Sequence, residues 1–214
     1  TGDRPERVAA NRRRMLGAFG GSPERVCVLE QVHGARAVVA APGWHEEKAD
    51  AAVTDDPELL LVVGMADCLP ILFHDPVRSA VGAAHAGWRG SVLGVAAATV
   101  RLLSERYGSD PADLRVAFGP AIAGRCYQVG PEVQAAFAEA GFPETVATAD
   151  AEGRWRLDLA GANRWALERC GVRPEHIFDL ERCTHCERET FYSHRRDGLE
   201  RGSHWALIGL GRVE

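Results

Sequence analysis

Residues 66–90, "ADCLPILFHDPVRSAVGAAHAGWRG", decide how the rest of the chain is read. Two apolar runs, "LPILFH" and "SAVGAAH", flank "DPVR", which places Asp and Pro where a β-turn favours them. The pattern predicts an antiparallel hairpin with Cys68 at the start of its first strand and His85 at the end of its second. With Asp75 to Arg78 as the turn, His74 faces Ser79, and unbroken pairing then sets Cys68 opposite His85. The Cβ atoms of such a pair lie about 4.5–5.5 Å apart on one face. A thiolate and an imidazole at that separation can share a metal ion. They can equally form a Cys–His nucleophile pair, or pack as a buried cysteine beside a core histidine.

"HAGWRG" favours a ligand site over plain packing. Gly87 and Gly90 permit close backbone approach, and Arg89 supplies a planar fork suited to phosphate or carboxylate at the start of a helix. His33, in "EQVHG", is a candidate third metal ligand; three protein ligands would leave a fourth position open for water or substrate. His74 sits by the turn and is read as non-catalytic. Asp67, next to Cys68, either orients a ligand or caps a strand edge. "CTHC", 183–186, has CxxC spacing but no second ligand pair beside it, and is read as a structural or substrate-facing loop rather than a second metal centre. "FYSHRRDG", 191–198, offers Tyr192 and Arg195 for a planar base and an anion, and Tyr127 lies in a glycine-rich segment that matches neither a P-loop nor a dinucleotide fingerprint.

Around these motifs the chain has the makings of one domain spanning 1–214. Of its residues, 46% are hydrophobic and 26% charged, enough apolar material for a full core. A net charge of −5 with no basic face disfavours nucleic acid as a partner. No apolar run is long enough for a membrane span, and the opening "TGDRPERVAANRRRM" does not read as an export signal. Six cysteines are too few for a disulfide scaffold, so reduced thiols in a cytoplasm are expected. Residues 5–19 predict a helix with Val8, Met15 and Phe19 inward; 25–33 and 35–41 read as a strand hairpin; 58–67 read as a strand covered on both faces. A helix is expected over 91–107 with Ser91 as N-cap and Gly108 as its stop. A strand from Leu114, helices ending near Gly141 and Gly171, and late strands in "HIFDLE" and "HWALIGL" follow. The mixture indicates an α+β fold with mixed, hairpin-rich sheet layers flanked by helices.

"QVHG", "ADCLPILFHDP", "AAHAGWRG", "FGPAIAGRCYQVGPEV" and "CTHCERETFYSHRRDG" together resemble, in order, the motifs of the laccase-domain family. Its members were once described as multicopper polyphenol oxidases and are now described as purine nucleoside phosphorylases. "GDRPERVAANRRR" resembles an early segment before which that family carries a further short strand region, so an N-terminal strand region is expected to be missing here. The resemblance implies zinc held at His33, Cys68 and His85. It also implies phosphorolysis of adenosine, inosine and methylthioadenosine, and deamination of adenosine. On this reading Cys68, His85 and Arg89 are catalytic, while Arg89, Tyr127, Tyr192 and Arg195 bind nucleoside and phosphate. Copper fits less well, because the eight histidines are scattered with no HxH motif. His194 and Gln128 depart from the family pattern, which has a tyrosine and a glutamate at those places. The competing readings are a Cys68–His85 hydrolase or amidase, with cell-wall precursors as one substrate class, and a non-enzymatic zinc-dependent binding module.

Overall fold

The computed structural model describes residues 3–211, apart from the side chains of 44–46. Thr1, Gly2 and residues 212–214 of the expected domain lie outside that description. The elements run α1 (Pro5–Ala18), β1 (Val26–Glu30), β2 (Ala37–Val39), β3 (Gly43–Lys48), β4 (Ala51–Thr54), β5 (Leu60–Met65), β6 (Leu69–Asp75) and β7 (Ala80–Ala86). Then come α2 (Trp88–Leu93), α3 (Val95–Tyr107), β8 (Arg115–Phe118), β9 (Gln128–Val129), α4 (Pro131–Glu139), β10 (Ala147–Ala149) and β11 (Trp155–Leu157). The chain closes with α5 (Leu159–Arg169), β12 (Ile177–Asp179), α6 (His194–Asp197) and β13 (His204–Ile208).

β6 and β7 form the expected hairpin in a different register. Asp75 pairs with Ala80, and Pro70 rather than Cys68 pairs with His85. The cause is the loop. Oδ1 of Asp75 accepts the N–H groups of Val77 (2.8 Å) and Arg78 (2.9 Å), and Ser79 turns left-handed at φ 52°. Asp75 therefore ends the strand instead of opening the turn, and the pairing moves by two residues. A two-residue shift keeps every side chain on its face. Cys68 becomes a diagonal neighbour of His85, beyond the last paired residue, and the two still point the same way.

β7 lies between β6 and β4 in a six-stranded sheet of order β12-β8-β6-β7-β4-β2. All seven of its residues are buried, because both faces are covered. One face packs on a four-stranded sheet of order β13-β5-β1-β3, with Cys27, Leu61, Val63 and Met65 meeting Ala52, Val81 and Ala83. The other face carries α3 and α5, where Ile71, Phe73 and Phe118 meet Val95, Val100, Leu103 and Leu167. Small residues in β7 permit this double coverage; a Cβ on Gly82 would lie 3.2 Å from Thr99 and 3.3 Å from Val53. α1 closes the outer face of the four-stranded sheet through Leu16, which packs with Val26 and Val62. Leu16 takes the inward place expected of Phe19, which is exposed. The α+β class stands: helices lie outside and mixed sheets within.

Two local expectations are corrected. Residues 25–33 and 35–41 do not pair with each other: β1 runs parallel to β3 and β5, while β2 runs parallel to β4 in the other sheet. A Gly34 break read from sequence as a turn is instead a crossing between sheets. The helix over 91–107 is two helices. α2 begins after Gly87, and Gly94, left-handed at φ 84°, separates it from α3. Ser91 is buried within α2 and accepts a hydrogen bond from Asn163 Nδ2 at 2.8 Å rather than capping a helix.

Asp75→Ala removes the acceptor for two turn N–H groups and is expected to cost about 1–2 kcal/mol of stability. The Asp75 carboxyl is held below its ordinary range: burial raises it, but Ser109, the turn N–H groups and Arg78 outweigh burial. Its contribution is therefore present above the unfolded carboxylate pKa of about 3.9 and is lost as pH falls through the lower folded value. Denaturant midpoints of parent and variant should differ at neutral pH and converge in acid; an unchanged midpoint at pH 7 would dismiss this role for the turn.

Candidate metal centre

Three side chains from separate places meet where β6 begins and β7 ends. His33 lies in the sheet-to-sheet crossing after β1, Cys68 in the bend between β5 and β6, and His85 near the end of β7. Their ligating atoms all lie within 4.8 Å of one another. The His33 and His85 rings meet edge to face with centroids 4.8 Å apart. Backbone geometry enforces the approach. His33 stands at φ 60°, and Asp67, immediately before Cys68, at φ 88°, both uncommon for residues with a Cβ. Gly87 passes so close that an added Cβ would lie 2.9 Å from the His33 ring and 3.1 Å from the Cys68 sulfur. Gly90 packs on the Gly34 carbonyl, 2.8 Å from where its Cβ would sit.

Asp50, fully buried at the start of β4, organises this corner. Oδ1 accepts the backbone N–H of His33 (2.9 Å), and Oδ2 accepts those of Val32 (3.2 Å) and Gly34 (2.6 Å). Oδ1 also meets His85 Nδ1 at 2.9 Å. An ionised carboxylate only accepts, so Nδ1 carries the proton and Nε2 is free to bind a cation. Burial alone would raise the Asp50 carboxyl, but the bonds from His85 and the Gly34 and Val32 N–H groups hold it below the ordinary range. Burial likewise opposes charge on Cys68 and on His85. Hydrogen bonds from His33 and His85 nevertheless bring the Cys68 thiol down, and Asp50 and Cys68 bring His85 up. The three residues could together hold a metal ion.

Residues 1–211 match the family described as multi-copper polyphenol oxidoreductase laccase. The chain belongs to that family. It is 45% identical over 214 residues to a protein of Deinococcus radiodurans named purine nucleoside phosphorylase, covering 99% of this chain and 81% of that one. It is 38% identical over 198 residues to purine nucleoside phosphorylase YfiH of Escherichia coli, covering 92% and 78%. The crystal structure of YlmD from Geobacillus stearothermophilus superposes with a TM-score of 0.92 at 37% identity, covering 99% of this chain and 83% of that one.

In this laccase-family chain, His33 and Cys68 open onto a cavity of about 280 Å³ whose wall includes Arg89, Tyr127, His194 and Arg195. The cavity adjoins a wider depression of about 560 Å³ that shares Arg89, Tyr127 and Arg195. Both arginines are exposed at their tips and stacked: the Arg89 guanidinium lies 4.3 Å from the Trp88 ring centre and that of Arg195 5.1 Å from that of Tyr127. Arg195 also donates to the Gln128 carbonyl. Burial pushes the Tyr127 phenol up to about 12, so it keeps its proton. A larger cavity, about 830 Å³, lies elsewhere, between the end of α1 and the end of β13, and neither His nor Cys lines it.

Arg89, Tyr127 and Arg195 thus gather with the ligand triad, whereas Tyr192 does not line this cavity. It is exposed, tilted against His204 with ring centres 5.4 Å apart, and lines a different depression with Met15 and Trp205. Asp67 makes none of its described side-chain hydrogen bonds to His33, Cys68 or His85. Its carboxylate accepts from Thr184 Oγ1 (2.5 Å), Ser193 Oγ (3.0 Å) and the Arg195 backbone N–H (2.6 Å), tying the late loop to the cavity wall. Asp50 is the residue that reading the sequence missed. Its signal was a carboxylate set directly before four residues, "AAVT", that are all buried.

Asp50→Asn exchanges an acceptor-only group for one that brings N–H against N–H and removes the charge holding His85. Zinc affinity, read by competition with a chromophoric chelator, should fall about 10–100-fold. Unchanged affinity would show that Asp50 does not set the orientation of His85.

Proposed function

We propose that this chain is a zinc-dependent purine nucleoside phosphorylase acting on adenosine, inosine and methylthioadenosine, with adenosine deaminase activity. The observation that carries the reading is the convergence of His33, Cys68 and His85 beside a cavity walled by Arg89, Tyr127 and Arg195. The names of the relatives supply the substrate class. One sulfur and two imidazole nitrogens suit zinc. A copper site with such donors ordinarily adds a weak axial methionine. Neither of the two methionines, Met15 and Met65, lines the cavity. The six free cysteines support a reducing, cytoplasmic setting. Among the described residues no helix is long and apolar enough to cross a membrane.

In phosphorolysis a phosphate oxygen bonds to ribose C1′ as the bond from C1′ to the purine nitrogen breaks. The base leaves with that electron pair and takes up a proton. Arg89 and Arg195 provide two fixed positive charges on one wall for the phosphate. Their stacking on Trp88 and Tyr127 orients the guanidinium planes before substrate arrives, which lowers the ordering cost of binding. Tyr127, kept protonated, presents an O–H donor to the base. His194 and Gln128, where the chain departs from the family pattern, stand at the cavity and at the adjoining depression, so they bear on which nucleoside fits. His33, Cys68 and His85 would hold zinc, which would supply the Lewis acidity that activates water for deamination.

A second reading has its own support. Cys68 pulled towards thiolate beside His85, itself oriented by Asp50, is also the arrangement of a Cys–His hydrolase or amidase, with cell-wall precursors as one substrate class. Chelation separates the two. Loss of phosphorolysis with chelator and recovery with zinc supports the first. Activity that survives chelation and disappears on alkylation of Cys68 sinks it. Arg89→Ala should lose a charge-assisted contact of about 1.5–3 kcal/mol. It should therefore raise the KM for phosphate about 10–100-fold, while deamination changes little; equal losses in both reactions would remove Arg89 from the phosphate site.

A further inference from the structure

The loop between β8 and β9 and the loop after β12 bring three more cysteines together. Ala121 and Cys183 form a parallel bridge, with Ala121 N–H to the Arg182 carbonyl at 3.2 Å and Thr184 N–H to the Ala121 carbonyl at 3.0 Å. This pairing sets Cys126 against the CxxC segment. Cys126 Sγ and Cys186 Sγ are 3.2 Å apart, and the ligating atoms of Cys126, His185 and Cys186 all lie within 4.8 Å of one another. Cys183 opens the same CxxC segment, and its sulfur stands outside the three atoms that lie mutually within 4.8 Å. That sulfur accepts the Ala123 N–H at 3.4 Å. Arg125 Nη2 lies 3.7 Å from Cys186 Sγ and offsets negative charge there.

We propose that Cys126, Cys183, Cys186 and His185 form a second metal site, a structural zinc site distinct from the centre at His33, Cys68 and His85. Zinc–sulfur bonds of about 2.3 Å in a tetrahedron set sulfurs about 3.8 Å apart, so small side-chain movements suffice. Three sulfurs and an imidazole leave no position open, which is the pattern of structural rather than catalytic zinc. Binding releases the thiol protons to solvent. The ion staples the loop bearing Tyr127 to the loop bearing Thr184 and Arg195, both of which line or anchor the cavity wall. Sequence spacing could not show this, because the third sulfur lies 57 residues or more before the CxxC pair. The proposal does not rest on the nucleoside reading.

The test is metal content of the full chain, loaded with zinc under reducing conditions and desalted. The parent should hold about two equivalents, Cys68→Ser about one, the double variant Cys126→Ser/Cys186→Ser about one, and the triple variant none. A double variant that retains the parent's content overturns the second site, and so does a parent whose only ion disappears with Cys68→Ser. Where the double variant fails to fold, cobalt in the Cys68→Ser protein decides. Intense thiolate charge-transfer and tetrahedral d–d bands support the site; a featureless spectrum, or a Cys126–Cys186 disulfide in the metal-loaded protein, overturns it.

Discussion

A single carboxylate out of reach of solvent holds the ligand corner together. Asp50 accepts three consecutive backbone N–H groups, of Val32, His33 and Gly34, and the imidazole N–H of His85. An ionised group buried without partners would be prohibitively costly. Here four donors surround it, and each belongs to a segment that carries or adjoins a candidate metal ligand. The same anion fixes the loop that carries His33 and the tautomer of His85. It also stands where the two sheets part, since β4 follows it directly in the six-stranded sheet while the segment it holds descends from β1 in the four-stranded one. Sheet packing and ligand geometry are thus set by one residue.

The strain at this corner follows from what is being brought together. Two imidazoles and a thiol can approach a common point only if the backbones bearing them turn sharply, and His33 and Asp67 both do so at positive φ. Each turn is held by a buried carboxylate that accepts hydrogen bonds. Asp50 holds the first, and the second is held by Asp67 itself, whose carboxylate takes Thr184, Ser193 and the Arg195 amide. Glycine appears where no side chain fits, at Gly87 between the His33 ring and the Cys68 sulfur. Strain at functional positions persists because the surrounding hydrogen bonds over-determine it.

What the sequence displayed and what it hid divide along a physical line. Features written in neighbouring residues were legible: the β6–β7 hairpin, the buried run of β5, and α4 and α5 with their terminal glycines. The facing of Cys68 and His85 survived an error in register because the slip was even. Had Asp75 shifted the pairing by one residue, Cys68 and His85 would have pointed to opposite faces. Long-range relations were not legible. The segments 25–33 and 35–41 look like a hairpin because each alternates and a glycine stands between them; only the packing of two sheets separates them. Asp50 lies 17 residues from His33 and 35 from His85, so no local pattern announces the bond. Tyr192 shares a motif with Arg195, yet α6 turns between them and only the arginine reaches the cavity wall.

The choice between a metal centre and a nucleophilic cysteine turns on His33. Cys68, His85 and Asp50 alone satisfy a thiol, a base and an orienting carboxylate, and nothing in those three side chains prefers one chemistry. A nucleophile pair needs one imidazole. This corner spends three N–H bonds and a left-handed residue on presenting a second one to the same sulfur. The His33 ring meets the His85 ring edge to face, and its ligating atom lies within 4.8 Å of the Cys68 sulfur. A nucleophile pair has no use for a second imidazole, whereas a tetrahedral cation held by three protein donors would use it.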